Sequence, residues 1–168
     1  MMLVIGLTGG IGTGKSEVTR MLEALGADVI DADQVGHEAY KPDSESWREV
    51  VEAFGDDILR PNREIDRQKL GAIVFGDPDQ LAKLNQIMHP RMARIVSGKL
   101  DSLRERGTKV AVVEAALLFE AGWDSLVDEV WATDSPVETV IERLRARNGM
   151  TPDEVLKRID SQMDRSER

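Results

Sequence analysis

The chain has 168 residues, 41% of them hydrophobic, enough for one packed domain with a helical insertion and too many for a disordered chain. Its 22 Lys and Arg face 31 Asp and Glu, a formal charge of −9, whereas a general binder of duplex DNA or of an anionic membrane carries the opposite balance. There is no cysteine, which excludes disulfides, thiolate metal sites and cysteine nucleophiles.

The N-terminus has neither a basic leader nor a small-residue cleavage site, and no apolar run approaches the length of a bilayer span. The expectation is a soluble cytoplasmic protein. Leu3 to Leu7 is a short apolar run ending at Thr8-Gly9-Gly10, the pattern of a buried parallel strand. From Lys15 the period changes: Val18, Met21, Leu22 and Leu25 mark an amphipathic helix that stops at Gly26. Val29-Ile30 gives a second strand running into Asp31-Ala32-Asp33.

The middle reads as helical. Trp47, Val50, Val51 and Phe54 share one face, closed by Gly55, and Leu70, Ile73 and Val74 mark a second helix ending at Gly76. Asp77-Pro78 is an N-cap followed by proline at N1, opening a helix that carries Leu81, Leu84 and Met88. Pro90 is expected to break or re-cap it, with Met92, Ile95, Val96 and Leu103 on a further helix up to Gly107. Strand character returns at Val110–Val113 and at Val130–Ala132. Ser135-Pro136-Val137-Glu138 and Thr151-Pro152-Asp153-Glu154 both have the form of a capping box with proline at N1. Most Trp and Met residues fall at helical spacing and read as core. Strands separated by helices predict an α/β fold, a parallel sheet flanked by helices, and the long helical block predicts a separate lobe.

Gly9-Gly10-Ile11-Gly12-Thr13-Gly14-Lys15-Ser16 fits G-x-x-x-x-G-K-[ST] at every fixed position, with a strand ahead and a helix behind. Glycines let backbone N–H groups curl around phosphate oxygens, and the helix that follows points its positive end at the same anion. Lys15 is placed to reach the β- and γ-phosphates of ATP and Ser16 to offer its hydroxyl to Mg²⁺, with Glu17 in the same first turn. Asp31 and Asp33 end the second strand at the edge where open α/β sheets bind ligands. In an extended course both face one cleft, where Asp33 would accept the proton of an attacking hydroxyl; the pair would otherwise cap the next turn. Glu114 ends an apolar strand where many P-loop proteins hold Mg²⁺ with aspartate, so it either helps bind the metal or holds Lys15 or a loop in place. Arg143 and Arg147 lie four apart on one helix, suited to a transferring phosphoryl group or to a solvated face paired with nearby acids. His37 and His89 have no metal-ligand spacing, and His89-Pro90-Arg91 is a candidate for acceptor contact.

The segments Ile5 to Ser16, Asp31-Ala32-Asp33, His89-Pro90 and Leu117-Leu118-Phe119-Glu120 resemble the dephospho-CoA kinase family in order and spacing. The likeness continues through Arg147-Asn148-Gly149-Met150-Thr151 and Ser161-Gln162-Met163. It implies a P-loop kinase core over 1–39 and 107–134, a helical acceptor-binding lobe over 40–106 and a small helical lid over 135–168. It also implies phosphorylation of the ribose 3′-hydroxyl of dephospho-coenzyme A by ATP with Mg²⁺, the last step of CoA synthesis. By the same resemblance Asp33 is the base, His89, Arg91, Leu117, Leu118 and Phe119 lie near the acceptor, and Arg143 and Arg147 contact ATP from the lid. The partners implied are these two small molecules, with no nucleic acid and no membrane, in a monomer or small homo-oligomer. Glu114 departs from the aspartate usual in the family. Relatives are expected to continue past Arg168 through another strand and helix that complete the adenine pocket. Another nucleoside monophosphate or small-molecule kinase on the same scaffold fits the P-loop equally well. A switch GTPase lacks support, since no Asn-Lys-x-Asp signature occurs, and a binding-only nucleotide module is the remaining alternative.

Overall fold

A computed structural model describes residues 1–168. The elements in chain order are β1 (Leu3–Gly9), α1 (Lys15–Ala24), β2 (Asp28–Asp31), α2 (Ala32–Ala39), α3 (Glu45–Phe54), α4 (Arg67–Val74), α5 (Pro78–Glu105), β3 (Val110–Glu114), β4 (Glu129–Thr133), α6 (Val137–Asn148) and α7 (Pro152–Asp160). They divide into two units, Met1–Asp31 with Ser102–Arg168, and Ala32–Asp101. The sequence reading places the helical block at 40–106, whereas α2 groups with the second unit.

The first unit is built on a four-stranded, all-parallel sheet in the order β2-β3-β1-β4. β1 is central, pairing Leu3 with Val110 through Leu7 with Glu114 on one side and Ile5 with Glu129 through Gly9 with Thr133 on the other. Its residues from Val4 to Gly9 are all buried, as expected of a strand covered on both faces. Gly9, Asp31, Glu114 and Thr133 all end their strands, so the residues with chemistry gather at one edge of the sheet. β4 is an edge strand, and there the core expectation fails: Val130 and Trp131 are exposed, while Trp47 and Trp123 are buried.

On α1 only Val18 and Leu22 pack on the sheet, in a cluster with Ile5, Leu7 and Val112. Met21 and Leu25, read from sequence as part of the same stripe, are 57% and 85% exposed. The helix turns Thr19 inward instead, toward Glu114. Packing of the Val18–Leu22 pair, four residues apart, sets the rotation.

In the second unit Trp47, Val50, Ile58, Ile65, Leu70, Val74, Leu84 and Met88 form one buried cluster. Ser44 caps α3 by accepting the Trp47 N–H, and Asp66 caps α4 by accepting from Gln68 and Lys69. Pro90 does not end a helix: α5 runs unbroken from Pro78 to Glu105. Proline there removes one helical N–H and crowds the carbonyl four residues back. Burial of Leu84 and Met88 before it, and of Val96 and Leu100 after it, offsets that cost on a single apolar face.

Candidate active site

β1 ends at Gly9 and α1 begins at Lys15, so the five residues between must turn the chain from strand to helix without side-chain obstruction. Two glycines are required by contacts. A Cβ on Gly9 would lie 2.0 Å from the Thr133 hydroxyl. Gly12 has φ +70°, and a Cβ there would stand 2.9 Å from Val140 of α6. Ile11 packs into the apolar cluster of Val140, Leu144 and Val155 that joins α6 to α7.

Side chains fix the loop from three directions. The Thr13 hydroxyl donates to the Gly10 carbonyl at 2.7 Å and shares a 2.7 Å hydrogen bond with the Thr133 hydroxyl. Gln162 accepts the Ile11 N–H at 2.9 Å. Arg143 donates to the Gly12 carbonyl at 3.1 Å.

The expected capping box at Ser135 does not form. α6 starts at Val137 with no side-chain cap, and the Ser135 hydroxyl donates to the Thr13 carbonyl at 3.3 Å while accepting from Arg143 at 3.1 Å. The twin sequence at Thr151 makes the full box with Glu154, opening α7. Both segments carry the same local signal; at Ser135 the phosphate loop competes for the hydroxyl and wins.

Lys15 opens α1 and pairs with Glu114 at 2.5 Å, with both side chains largely withdrawn from solvent. The second Glu114 oxygen accepts from the Thr19 hydroxyl at 2.6 Å. Of the two readings open for Glu114, holding Lys15 is the contact seen. A cleft of about 800 Å³ opens over the loop, lined by Gly9 through Glu17 together with Arg20, Ala116, Arg143, Ala146, Arg147 and Gln162. In an acidic chain this cleft gathers three arginines and a lysine around a helix N-terminus, an arrangement that binds polyphosphate. Glu17 pairs with Arg20 at its rim. The Arg147 Nε donates to the Asn148 side chain at 2.9 Å.

The other sequence-derived candidates stand differently. The extended course through Asp31-Ala32-Asp33 ends at Asp31: Ala32 opens α2 and Asp33 lies in its first turn. The alternation of an extended chain, from which both carboxylates were expected on one side, therefore does not extend to Asp33. An acid in a first turn suits the helix dipole. His89 is half-buried on α5. Arg91 is held by Glu45 at 2.6 Å and Glu49 at 2.5 Å, tying α5 to α3. Its hydrogen bond keeps the Glu49 carboxyl below the usual glutamate range. Leu118 is fully buried, with its Cδ1 only 2.7 Å from where a Gly6 Cβ would be, while Leu117 is exposed and Phe119 half-buried. Thr133 and Ser135 escaped the sequence reading as site residues because hydroxyls at strand ends and before helices look like ordinary caps, and Thr19 because it lies inside α1 with no motif of its own.

No helix is long and apolar enough to cross a membrane. The family model described as dephospho-CoA kinase matches residues 3–168. A dephospho-CoA kinase of Geobacter sulfurreducens is 46% identical over 167 residues, covering 99% of this chain and 85% of the relative. That of Dehalococcoides mccartyi is 41% identical, covering 99% and 84%. Among solved structures, TT1252 from Thermus thermophilus superposes with a TM-score of 0.83 at 32% identity over 99% of this chain and 83% of its own. Dephospho-CoA kinase from Campylobacter jejuni gives 0.69 at 26%, with the same coverage. A shikimate kinase from Bacteroides thetaiotaomicron, 14% identical over 94% of this chain and 75% of its own with a TM-score of 0.51, shares the fold alone. A P-loop closed by Thr133, Gln162 and Arg143 on a four-stranded parallel sheet is thus joined to a sequence match along nearly all of its length, and the chain belongs to the dephospho-CoA kinase family.

Proposed function

We propose that the chain, a kinase using ATP and dephospho-CoA, divides the labour of phosphoryl transfer among the residues named above. The observation that carries this reading is Lys15 at the mouth of α1, in a cleft that also presents Arg143 and Arg147. The loop N–H groups and Lys15 bind the β- and γ-phosphates, and the two arginines neutralise charge that builds on the transferring group. The ribose 3′-hydroxyl of dephospho-CoA attacks the γ-phosphorus. A new O–P bond forms, the bond to the β,γ-bridging oxygen breaks, and ADP leaves. Asp33 takes the hydroxyl proton. His89, Arg91, Leu117 and Phe119 are assigned to the acceptor side, with Leu118 supporting its neighbours from the core.

Ser16, which lines the cleft, would hold Mg²⁺ jointly with substrate phosphates and water, and Glu114 would join it by giving up its contact with Lys15 or Thr19. When bound, the ion neutralises charge between the β- and γ-phosphates. Glu114 keeps Lys15 extended toward the cleft. In this reading the helical block binds the acceptor and the α6–α7 pair contacts ATP. A cytoplasmic location and a monomer or small homo-oligomer accord with a reaction between two soluble metabolites.

An acceptor panel of dephospho-CoA, AMP, CMP and shikimate, read by ADP release, tests the assignment. A rate with dephospho-CoA alone is the expected result; a rate only with another acceptor overturns it. Asp33→Asn is expected to lower kcat by about 10²–10⁴-fold while ATP affinity changes little. Unchanged kcat would remove Asp33 from the role of base.

A further inference from the structure

Ser135 lies between β4 and α6, in a segment whose sequence calls for a capping box, yet its hydroxyl leaves the helix uncapped. Rules of local sequence that are broken in this way tend to be broken where function competes. The hydroxyl makes two contacts, both toward the nucleotide cleft: it donates to the Thr13 carbonyl at 3.3 Å and accepts from the Arg143 Nη1 at 3.1 Å.

The same Nη1 donates to the Gly12 carbonyl at 3.1 Å. A guanidinium offers five N–H donors in a rigid plane, two of them on each terminal nitrogen. The Gly12 carbonyl and the Ser135 hydroxyl therefore use both hydrogens of Nη1, leaving Nε and Nη2 for the cleft that Arg143 lines. Two fixed points on one nitrogen restrict rotation of an otherwise exposed, rotamer-rich side chain. Without Ser135 the group pivots on Gly12 alone.

We propose that Ser135 is a positioning residue for phosphoryl transfer: it locks the Arg143 guanidinium to the phosphate loop so that its remaining donors are preset for the nucleotide phosphates. The inference rests on the kinase reading above. Its chemistry is orientation, which acts on kcat when the oriented group binds the transition state more tightly than the ground state. A serine that merely shaped the β4–α6 turn would act on stability and leave turnover alone.

The test compares wild type, Ser135→Ala, Ser135→Thr, Arg143→Ala and the Ser135→Ala/Arg143→Ala double variant. Each is measured for kcat, KM for ATP, calorimetric ATP affinity and melting temperature. Ser135→Ala is expected to lower kcat by about tenfold, the loss of one hydrogen bond to a charged group, at a melting temperature close to wild type. Ser135→Thr, which keeps the hydroxyl, restores kcat to within about threefold, and in the Arg143→Ala background Ser135→Ala changes kcat by less than about twofold. Wild-type kinetics for Ser135→Ala, or the same loss with and without Arg143, overturns the proposal. If wild type turns over no acceptor, the kinase reading fails instead. The ATP affinities of wild type, the two alanine variants and the double variant then decide alone: additive losses reject the Ser135–Arg143 link and non-additive ones keep it.

Discussion

At the residue scale, hydrogen-bonded carboxylates contribute to the response to acid. Glu49 is held below its ordinary value of 4.5 chiefly by the hydrogen bond from Arg91, and Asp66 below its own chiefly by the backbone N–H of Lys69. Because the folded state binds these protons more weakly, the unfolded chain takes them up first as pH falls. Their contribution to stability is complete above the ordinary carboxylate range and is lost as pH drops through the depressed native values. Glu49→Gln should therefore flatten the acid limb of a melting-temperature profile below about pH 5 and leave the profile near neutrality parallel to wild type. An unchanged acid limb would show that the Glu49–Arg91 pair carries none of this linkage. The same pair shows where reading residues from sequence stops. Lys15 and the loop glycines were legible because their spacing is itself the mechanism. Arg91 reads from sequence as an acceptor contact, but that Glu45 and Glu49, one helical turn apart on α3, come to meet it is not legible there.

At the element scale, β1, α1, β3, β4 and the helices α3, α4, α6 and α7 follow from periodicity and caps, with ends displaced by a few residues. The errors lie where a local rule was overruled by packing. α2 was missed because Asp31-Ala32-Asp33 reads as a strand running on, although Val35 and Ala39, four apart and both buried, give a helical spacing. α5 was split because proline is a reliable breaker only when nothing on both sides holds the helix straight. Pro90 is exposed and sits within a 28-residue helix, so Pro90→Ala restores an N–H donor and should raise the melting temperature. If Pro90 serves to aim His89, the same variant raises KM for the acceptor more than KM for ATP. A lower melting temperature would instead mean that the proline conformation is itself part of the packed state.

At the scale of the whole molecule, the order of elements along the chain differs from their order in the sheet. β1 is made well before its partners, which are β3 and β4, beginning at Val110 and Glu129. β2 pairs only with β3. The buried cluster of the second unit, by contrast, draws on residues from Ala39 to Met88 alone. Pairings of long sequence separation are entropically late, and contacts local in sequence come early. During synthesis the helical unit has all its core residues while β1 and the phosphate loop still have no sheet to join. Nascent chains arrested after α5 should thus resist protease across α3 and α4 but fail to bind ATP-agarose. Retention should appear only once Thr133 and Arg143 have cleared the ribosome. ATP retention by the shorter chains would mean that the loop needs neither neighbour. The central place of β1 makes the nucleotide site form after the helical unit, so a chain interrupted after α5 is left with a folded helical unit and no means of consuming ATP.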